Sequence, residues 1–193
     1  MIIGITGNIG SGKSTFSKFA EDAGYPVLRA DDISKSILQS DDKVKIKIVE
    51  TFGKESFLND KPNKSFLAQE VFTDHKKLLK LESILHPKVT KKLKEEIKKL
   101  KKTSNVIFIE AALVYEANLE ELFDYVVLVT SELETRKLRK INGGMSEKDF
   151  LLRESNQIAE DEKKNRADFI FSNNFSVNEL HSKFKLLQLT LGL

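Results

Sequence analysis

The chain has 193 residues, of which 40% are hydrophobic and 32% charged, an ordinary globular balance that excludes wholesale disorder. It has no cysteine, which excludes a disulfide scaffold, a thiolate metal site and a cysteine nucleophile. The net charge of +3 is too balanced to indicate a nucleic-acid partner, and no apolar run reaches the ~20 residues of a membrane span. The first residues lack the basic segment of a secretory signal. We therefore expect a single domain with inserted subdomains in the cytoplasm, with no membrane partner.

Five short apolar segments predict the strands of a parallel sheet. They span residues 2–6, 26–28, 106–109, 125–129 and 169–171. A helix is expected from about residue 12 to residue 23, with Phe16, Phe19 and Ala20 on its buried face and Gly24 as its stop. Strands that alternate with helical stretches are typical of an α/β fold.

The second and third strands are separated by about seventy residues, far more than a crossover needs. We interpret residues 36–102 as a helical insertion at the edge of the sheet. Val44, Ile48 and Phe52 recur at helical spacing, although Val44, Ile46 and Ile48 also alternate as a strand would.

The rest of this insertion predicts two helices separated near Pro87. Thr73-Asp74 is expected to cap the first, which carries Leu78, Leu81 and Leu85. The second is rich in lysine and has an apolar stripe of Val89, Leu93, Ile97 and Leu100. A second charged, helical insertion spans residues 136–165, and its main helix is expected to begin with a capping box at Ser146.

Residues 7–15, with the sequence GNIGSGKST, match the phosphate-binding pattern G-x-x-x-x-G-K-[ST] between a predicted strand and a predicted helix. Glycines let successive backbone N–H groups face phosphate oxygens, and the helix N-terminus favours the same anion. We expect the phosphates of a nucleotide to be bound by Gly10, Ser11, Gly12, Lys13, Ser14 and Thr15. Lys13 would reach the β and γ phosphates, and the Ser14 hydroxyl would ligate Mg²⁺.

Carboxylates follow two of the predicted strands. Glu110 ends the third strand, where it would either hold Mg²⁺ or form a solvated strand end. Asp31 and Asp32 follow the second strand, where a carboxylate could accept the proton of an acceptor hydroxyl and accelerate the reaction by ~10²–10⁴-fold. The alternative role of either aspartate is to cap a helix that begins at Ile33. The residues alone leave the choice open.

A cluster of cations, Arg136, Lys137, Arg139 and Lys140, follows the fourth strand. It would either close over a nucleotide or form a solvated helix face. The chain has no guanine-reading N-K-x-D motif, since Asn63-Lys64 is followed by Ser65-Phe66. An early phosphate loop and two helical insertions favour a small-molecule kinase with an acceptor domain and a lid.

An ordered set of motifs resembles the dephospho-coenzyme A kinase family nearly end to end. Residues 4–15 are similar to G-L-T-G-G-I-G-S-G-K-S-T, residues 27–31 to V-I-D-A-D, residues 85–87 to L-H-P, and residues 110–116 to D-x-P-L-L-x-E. Arg153 and Gln157 resemble R-I-x-x-Q, and Lys163, Ala167, Asp168 and Asn173 resemble K-x-x-x-A-D-x-x-I-x-N.

The resemblance implies a three-layer α/β P-loop kinase with about five parallel strands. Its nucleotide-binding core would comprise residues 1–35, 103–135 and 166–193, with an acceptor-binding insertion at 36–102 and a lid at 136–165. The implied reaction phosphorylates the ribose 3′-hydroxyl of dephospho-CoA with ATP and Mg²⁺, giving CoA and ADP. Small molecules would be the only substrates, and either a monomer or a small homo-oligomer is compatible with the sequence.

The resemblance also implies roles for individual residues. Asp31 would be the catalytic base, with Lys13 and the lid residue Arg139 neutralising the transferred group. Asn173 would contribute to the nucleotide site. Asp31, His86 and Glu116 would contact the acceptor, and Ser14 and Glu110 would hold Mg²⁺.

Two departures from the family's motifs matter. Arg29 stands where the family has its first aspartate, so the second carboxylate is either lost or supplied by Asp32. The family's second lid arginine has no match near residues 142–144, where Lys140 is a candidate substitute. Two other functions stay open: a kinase of another acceptor, such as a nucleoside monophosphate or a sugar, and a regulatory module that binds ATP without turnover.

Overall fold

A five-stranded parallel sheet organises the amino- and carboxy-terminal parts of the chain in the computed structural model, which describes residues 1–193 apart from the side chain of Phe72. The strands are β1 (Ile2–Thr6), β2 (Val27–Arg29), β3 (Phe57–Leu58), β4 (Lys61–Pro62), β5 (Ile107–Glu110), β6 (Tyr125–Thr130) and β7 (Phe169–Ser172). The helices are α1 (Lys13–Asp22), α2 (Ala30–Ser40), α3 (Asp42–Phe52), α4 (Lys64–Thr73), α5 (His75–Leu100), α6 (Leu133–Asn142), α7 (Glu147–Ser155), α8 (Glu160–Lys164) and α9 (Val177–Leu191). The five predicted strands are confirmed to within one or two residues.

The strand order is β2-β5-β1-β6-β7, and every neighbouring pair is parallel. The chain begins at the central strand β1 and later adds strands on both sides of it. In open parallel sheets, ligands bind at the carboxyl edge where the strand order reverses, which here is the end of β1. The segment that follows β1 is the predicted phosphate loop.

Helix α1 is held against the sheet by an aromatic core that it shares with α9. Phe16 and Ala20 are fully buried as predicted, and Phe19 is partly buried against the same cluster. The Phe16 ring lies 5.5 Å from that of Phe184 in an edge-to-face arrangement, which is a favourable geometry for aromatic pairs. This packing fixes the N-terminus of α1, where the phosphate loop ends.

Residues Ala30–Glu96 form a second compact unit, while Met1–Arg29 and Ile97–Leu193 form the first. The second unit has its own apolar core, which includes Val44, Ile48 and Phe52 of α3. Ile46 is 56% exposed, so the segment follows the helical period and the alternative strand interpretation is wrong. The predicted divisions at residues 36–102 and 136–165 stay predictions about function.

Helix α5 runs through Pro87 without a break, so the predicted interruption is wrong. A proline removes one backbone hydrogen bond from a helix. Here the helix continues because apolar residues on both sides of Pro87, among them Leu85 and Val89, are drawn into buried or partly buried packing. The predicted cap is confirmed, since Asp74 Oδ1 accepts the N–H of Lys76 at 2.9 Å. Among the described residues, no helix combines the length and the apolar character needed to cross a membrane.

Helix α2 begins directly after β2, at Ala30, which is earlier than the sequence predicts. Asp31 and Asp32 therefore lie inside the first helical turn, and the interpretation of either residue as the N-cap is wrong. Carboxylates are stabilised in a first turn because the helix macrodipole is positive there. Asp32 also pairs with Lys35 at 2.8 Å on the solvent-exposed side of the helix.

Candidate active site

The phosphate loop between β1 and α1 is packed so closely that several of its positions admit only glycine, among them Gly10 and Gly12. Gly10 and Gly12 have φ values of +80° and +105°. A Cβ on Gly10 would lie 2.6 Å from the carbonyl oxygen of Arg136, and a Cβ on Gly12 would lie 2.1 Å from Asn173 Nδ2. The loop is thus shaped by its neighbours on both sides as well as by its own sequence.

Replacing Gly12 with alanine is expected to lower the free energy of unfolding by about 2 kcal/mol or more, because backbone strain and a steric overlap add together. Gly24→Ala is the matched control. Gly24 has a similar φ of +88°, but a Cβ added there would have no atom within 4 Å of it. It should lose only the strain, about 1 kcal/mol. Urea unfolding of both variants measures the difference, and equal losses would contradict the packing argument.

Lys13 turns back over the phosphate loop. Its Nζ donates hydrogen bonds to the carbonyl oxygens of Gly7 at 2.8 Å and Asn8 at 3.3 Å. These contacts hold the ammonium group beside the loop, where phosphate oxygens are expected. Ser14 and Thr15 follow in the first turn of α1, as the motif predicts.

Ser14 and Glu110 come together at the carboxyl edge of the sheet. The Ser14 hydroxyl donates to Glu110 Oε1 at 2.6 Å. The other carboxylate oxygen, Oε2, is buried and accepts no hydrogen bond from any described residue, although Arg29 Nε lies 3.3 Å from it. Mg²⁺ prefers oxygen ligands, and in kinases it takes one or two from the protein and the rest from phosphates and water. A hydroxyl beside a buried carboxylate therefore fits the predicted Mg²⁺ ligands.

Asn173 supports the phosphate loop through its side chain. Its Nδ2 is buried and donates to the Ser11 carbonyl oxygen at 2.8 Å. The main-chain carbonyl oxygen of Asn173 accepts hydrogen bonds from Ser131 Oγ at 3.0 Å and from Arg139 Nη2 at 2.7 Å. The predicted contact of Asn173 with the nucleotide stays a prediction, whereas its contact with the loop is direct.

Arg139 lies beside the phosphate loop, as expected for a residue that acts on the nucleotide. Besides its contact with Asn173, its Nη1 donates to Ser131 Oγ at 3.3 Å and to the Gly10 carbonyl oxygen at 3.4 Å. The guanidinium group thus joins the end of β6 to the loop. Its catalytic role stays a prediction.

In the sequence, Arg136 is one of a group of cations. In the structure its side chain is buried, and it connects the predicted lid to the phosphate loop. Its side chain is 5% exposed, and its Nη2 donates to Glu154 Oε1 at 2.7 Å. The same Glu154 oxygen accepts from Asn8 Nδ2 at 3.2 Å. Nearby, Gln157 Oε1 accepts the N–H of Ile9 at 2.7 Å.

The environment of Glu154 keeps it ionised. Burial alone would raise the pKa of this carboxyl, but the hydrogen bonds and positive charge of Arg136, together with Asn8, more than offset burial and hold the pKa below its usual range. A carboxylate with a lowered pKa stabilises the folded state fully above the unfolded pKa of ~4.3, and this contribution is lost as the pH falls through the folded value.

Glu154→Gln is expected to lower the free energy of unfolding by about 3 kcal/mol at pH 7, because it leaves the buried Arg136 charge without its carboxylate. The difference from the wild type should shrink as the pH falls below the unfolded pKa of ~4.3 and through the lowered pKa of Glu154 in the folded state. Glu147→Gln, in the same helix, is the control: the Glu147 side chain is exposed, and its ion pair with Lys137 should contribute little to stability. Chemical unfolding at several pH values checks both; a pH-independent difference for Glu154→Gln would contradict the assignment.

Glu116, a predicted acceptor contact, forms a buried ion pair. Its Oε1 lies 2.9 Å from Nζ of Lys163, whose side chain is fully buried, and accepts the N–H of Ile158 at 2.9 Å. These contacts anchor the chain between α7 and α8. The acceptor role of Glu116 stays a prediction.

Two other predicted site residues belong to the second unit. Asp31 is the second residue of α2, and the half-buried His86 lies in the middle of α5. The predicted contacts of Asp31 and His86 with the acceptor stay predictions.

A central phosphate loop, a neighbouring strand-end carboxylate and the strand order define this chain as a P-loop kinase in fold. A shikimate kinase structure from Bacteroides thetaiotaomicron shares this fold with a TM-score of 0.55 at 16% identity, over 100% of this chain and 99% of that chain. A deoxyadenosine kinase from M. mycoides with bound dATP does so with a TM-score of 0.55 at 18% identity, over 100% of each chain.

More specifically, the chain belongs to the dephospho-CoA kinase family, whose family model matches residues 1–179. A dephospho-CoA kinase from Aquifex aeolicus is 36% identical over 185 residues, which cover 95% of this chain and 93% of the relative. The crystal structure of TT1252 from Thermus thermophilus superposes with a TM-score of 0.83 at 33% identity, over 99% of this chain and 97% of that one. Dephospho-CoA kinase from Campylobacter jejuni gives a TM-score of 0.72 at 26% identity, over 99% and 98% of the two chains.

Proposed function

We propose that this chain transfers the γ-phosphoryl group of ATP to the ribose 3′-hydroxyl of dephospho-CoA, giving CoA and ADP in the last step of CoA biosynthesis. The observation that carries the acceptor is the family match over residues 1–179, which includes both insertions as well as the phosphate loop. The phosphate loop with Lys13 and the Ser14–Glu110 pair supports the reaction class.

In phosphoryl transfer, the protein acts chiefly by positioning the reactants and neutralising charge. The backbone N–H groups of the loop and the N-terminus of α1 bind the triphosphate. The Lys13 ammonium exchanges its contacts with the Gly7 and Asn8 carbonyls for phosphate oxygens. Ser14 and Glu110 hold Mg²⁺, which when bound neutralises the charge on the β and γ phosphates.

Asp31 accepts the proton of the ribose 3′-hydroxyl while the oxygen of that hydroxyl forms a bond to the γ-phosphorus. The bond between the γ-phosphorus and the bridging oxygen breaks, and ADP leaves with that oxygen. The motif position supports Asp31 over Asp32, because Asp31 occupies the second aspartate position of the V-I-D-A-D motif.

Further parts of the proposal concern the two insertions. The acceptor is bound by the insertion at residues 36–102, which includes His86, and by Glu116. The lid at residues 136–165 closes over ATP and brings Arg139 beside the transferred group. Asn173 borders the nucleotide. A closed lid excludes water, which would otherwise compete with the acceptor for the γ-phosphoryl group. The enzyme acts in the cytoplasm on small molecules.

The release of ADP from ATP, measured with a panel of acceptors, tests the function. Dephospho-CoA, adenylate, thymidylate and gluconate are each added at matched concentration. We expect dephospho-CoA alone to raise the rate by orders of magnitude. Preferred turnover with another member of the panel would assign a different kinase, and slow ADP release that no acceptor changes would favour a regulatory ATP-binding module.

A further inference from the structure

Two departures from the family's motifs lie opposite one another in the sheet. Arg29 stands at the first aspartate of V-I-D-A-D, and Glu110 stands at the aspartate of D-x-P-L-L-x-E. Strands β2 and β5 are parallel neighbours, and their register pairs Arg29 with Glu110. Arg29 Nε lies 3.3 Å from Glu110 Oε2. An aspartate pair in the motifs is therefore an arginine–glutamate pair in this chain.

Arg29 also contacts a second carboxylate. Its Nη1 donates to Glu21 Oε1, in α1, at 2.6 Å. The hydrogen bond from Arg29 outweighs the effect of burial and lowers the pKa of the Glu21 carboxyl, so Glu21 is ionised at neutral pH. The guanidinium group thus bridges Glu21 on one side and Glu110 on the other.

The two oxygens of Glu110 consequently have different partners. Oε1 accepts the Ser14 hydroxyl, and Oε2 is buried beside the positive charge of Arg29. A fixed positive charge next to a carboxylate opposes the binding of a second cation to it. Because the Glu110 side chain is only 12% exposed, solvent and salt screen this opposition weakly.

We propose that Arg29 is a positioning residue that controls the cation site. It holds Glu110 with Oε1 turned to Ser14, and its charge weakens the binding of a divalent cation to Ser14 and Glu110 until a nucleotide brings negative charge to the site. Glu21 reduces this weakening of cation binding, because its carboxylate partly neutralises the charge of Arg29. The inference rests on the proposed assignment of Ser14 and Glu110 to Mg²⁺, and it makes cation binding in this enzyme depend on the nucleotide.

Binding of Mn²⁺ to the purified full chain, measured by electron paramagnetic resonance without nucleotide, tests the inference. Arg29→Gln is expected to tighten Mn²⁺ binding by about tenfold or more, because the opposing charge is gone. Arg29→Lys keeps the charge and should bind Mn²⁺ much as the wild type does. Glu21→Gln is expected to weaken Mn²⁺ binding, because the Arg29 charge is then less compensated.

A merely structural role for Arg29 predicts a different pattern, in which Arg29→Gln leaves Mn²⁺ binding unchanged or weakens it; that result would overturn the inference. Adding Glu110→Gln to Arg29→Gln should abolish the gain, and its persistence would place the cation elsewhere and also overturn the inference. Thermal unfolding of each variant is measured as a check that it is folded. The acceptor panel is independent of this measurement, so failure of the inference and failure of the proposed reaction are distinguishable.

Discussion

Lys13→Ala should reduce phosphoryl transfer by about 10²–10³-fold or more while the chain remains folded. The lysine is the one side chain of the phosphate-loop motif whose charge can follow the γ-phosphoryl group, and its contacts in the structure are with loop carbonyls rather than with the apolar core. No other side chain of the loop carries a positive charge, so the removal of Lys13 leaves the negative charge of the transition state without this stabilisation. Steady-state turnover with ATP and dephospho-CoA measures it.

Lys18→Ala is the control for this experiment. Lys18 lies in the same helix, but its ammonium group forms an exposed ion pair with Asp22 at 2.8 Å. We expect its removal to change both turnover and stability little, because the ion pair is exposed. If Lys13→Ala is folded, as judged by its thermal unfolding, and turns over like the wild type, the assignment of the phosphate loop is wrong.

Asp31→Asn should lower turnover by ~10²–10⁴-fold, the usual contribution of a general base. The affinity for ATP should change little, because the phosphate loop and Lys13 bind the triphosphate. Asparagine keeps the size of the side chain and removes its ability to accept the proton. Turnover and the dissociation constant of ATP are measured separately, so that a loss of chemistry is distinguished from a loss of binding.

Asp32→Asn is the matched control because the two aspartates are adjacent in the first turn of α2. It removes an exposed ion pair with Lys35, and we expect a small change in both turnover and stability. The opposite pattern, an inactive Asp32→Asn enzyme and a nearly normal Asp31→Asn enzyme, would show that the base assignment is wrong by one residue.

The parts of the fold that the sequence predicted well depend on local signals. Apolar runs predicted the strands of the parallel sheet because strands buried on both faces need continuous hydrophobic residues. The phosphate loop was predicted because its glycines, lysine and serine each meet a local requirement. In the ambiguous segment α3, the structure decides for the helix, since Val44 and Ile48 are buried and Ile46 is exposed.

Two features of the fold were missed for different reasons. Pro87 is a local signal for a helix end, but burial of residues on both sides of it outweighs one lost hydrogen bond. The short β3–β4 hairpin has its signal in Asn59 and Asp60, which both adopt positive φ as tight hairpin turns require, and sequence reasoning overlooked it.

The candidate site was predicted unevenly, because some of its contacts join residues that are far apart in the chain. The family resemblance implied that Ser14 and Glu110 share Mg²⁺, and in the structure the Ser14 hydroxyl lies 2.6 Å from Glu110 Oε1. The link from Arg136 through Glu154 to Asn8 joins residues up to 146 positions apart in the chain. No local pattern distinguishes its buried arginine from the cations beside it, because the apolar residues of α6, such as Leu133 and Leu138, are themselves exposed.

Identification of the phosphorylated product tests the central claim most directly. ATP and dephospho-CoA are incubated with the purified chain, and the product is separated and examined by phosphorus NMR together with the ADP formed. We predict one CoA for each ADP, with the new phosphate on the ribose 3′-hydroxyl. ADP without CoA, or a phosphate at another hydroxyl of the acceptor, would contradict the account.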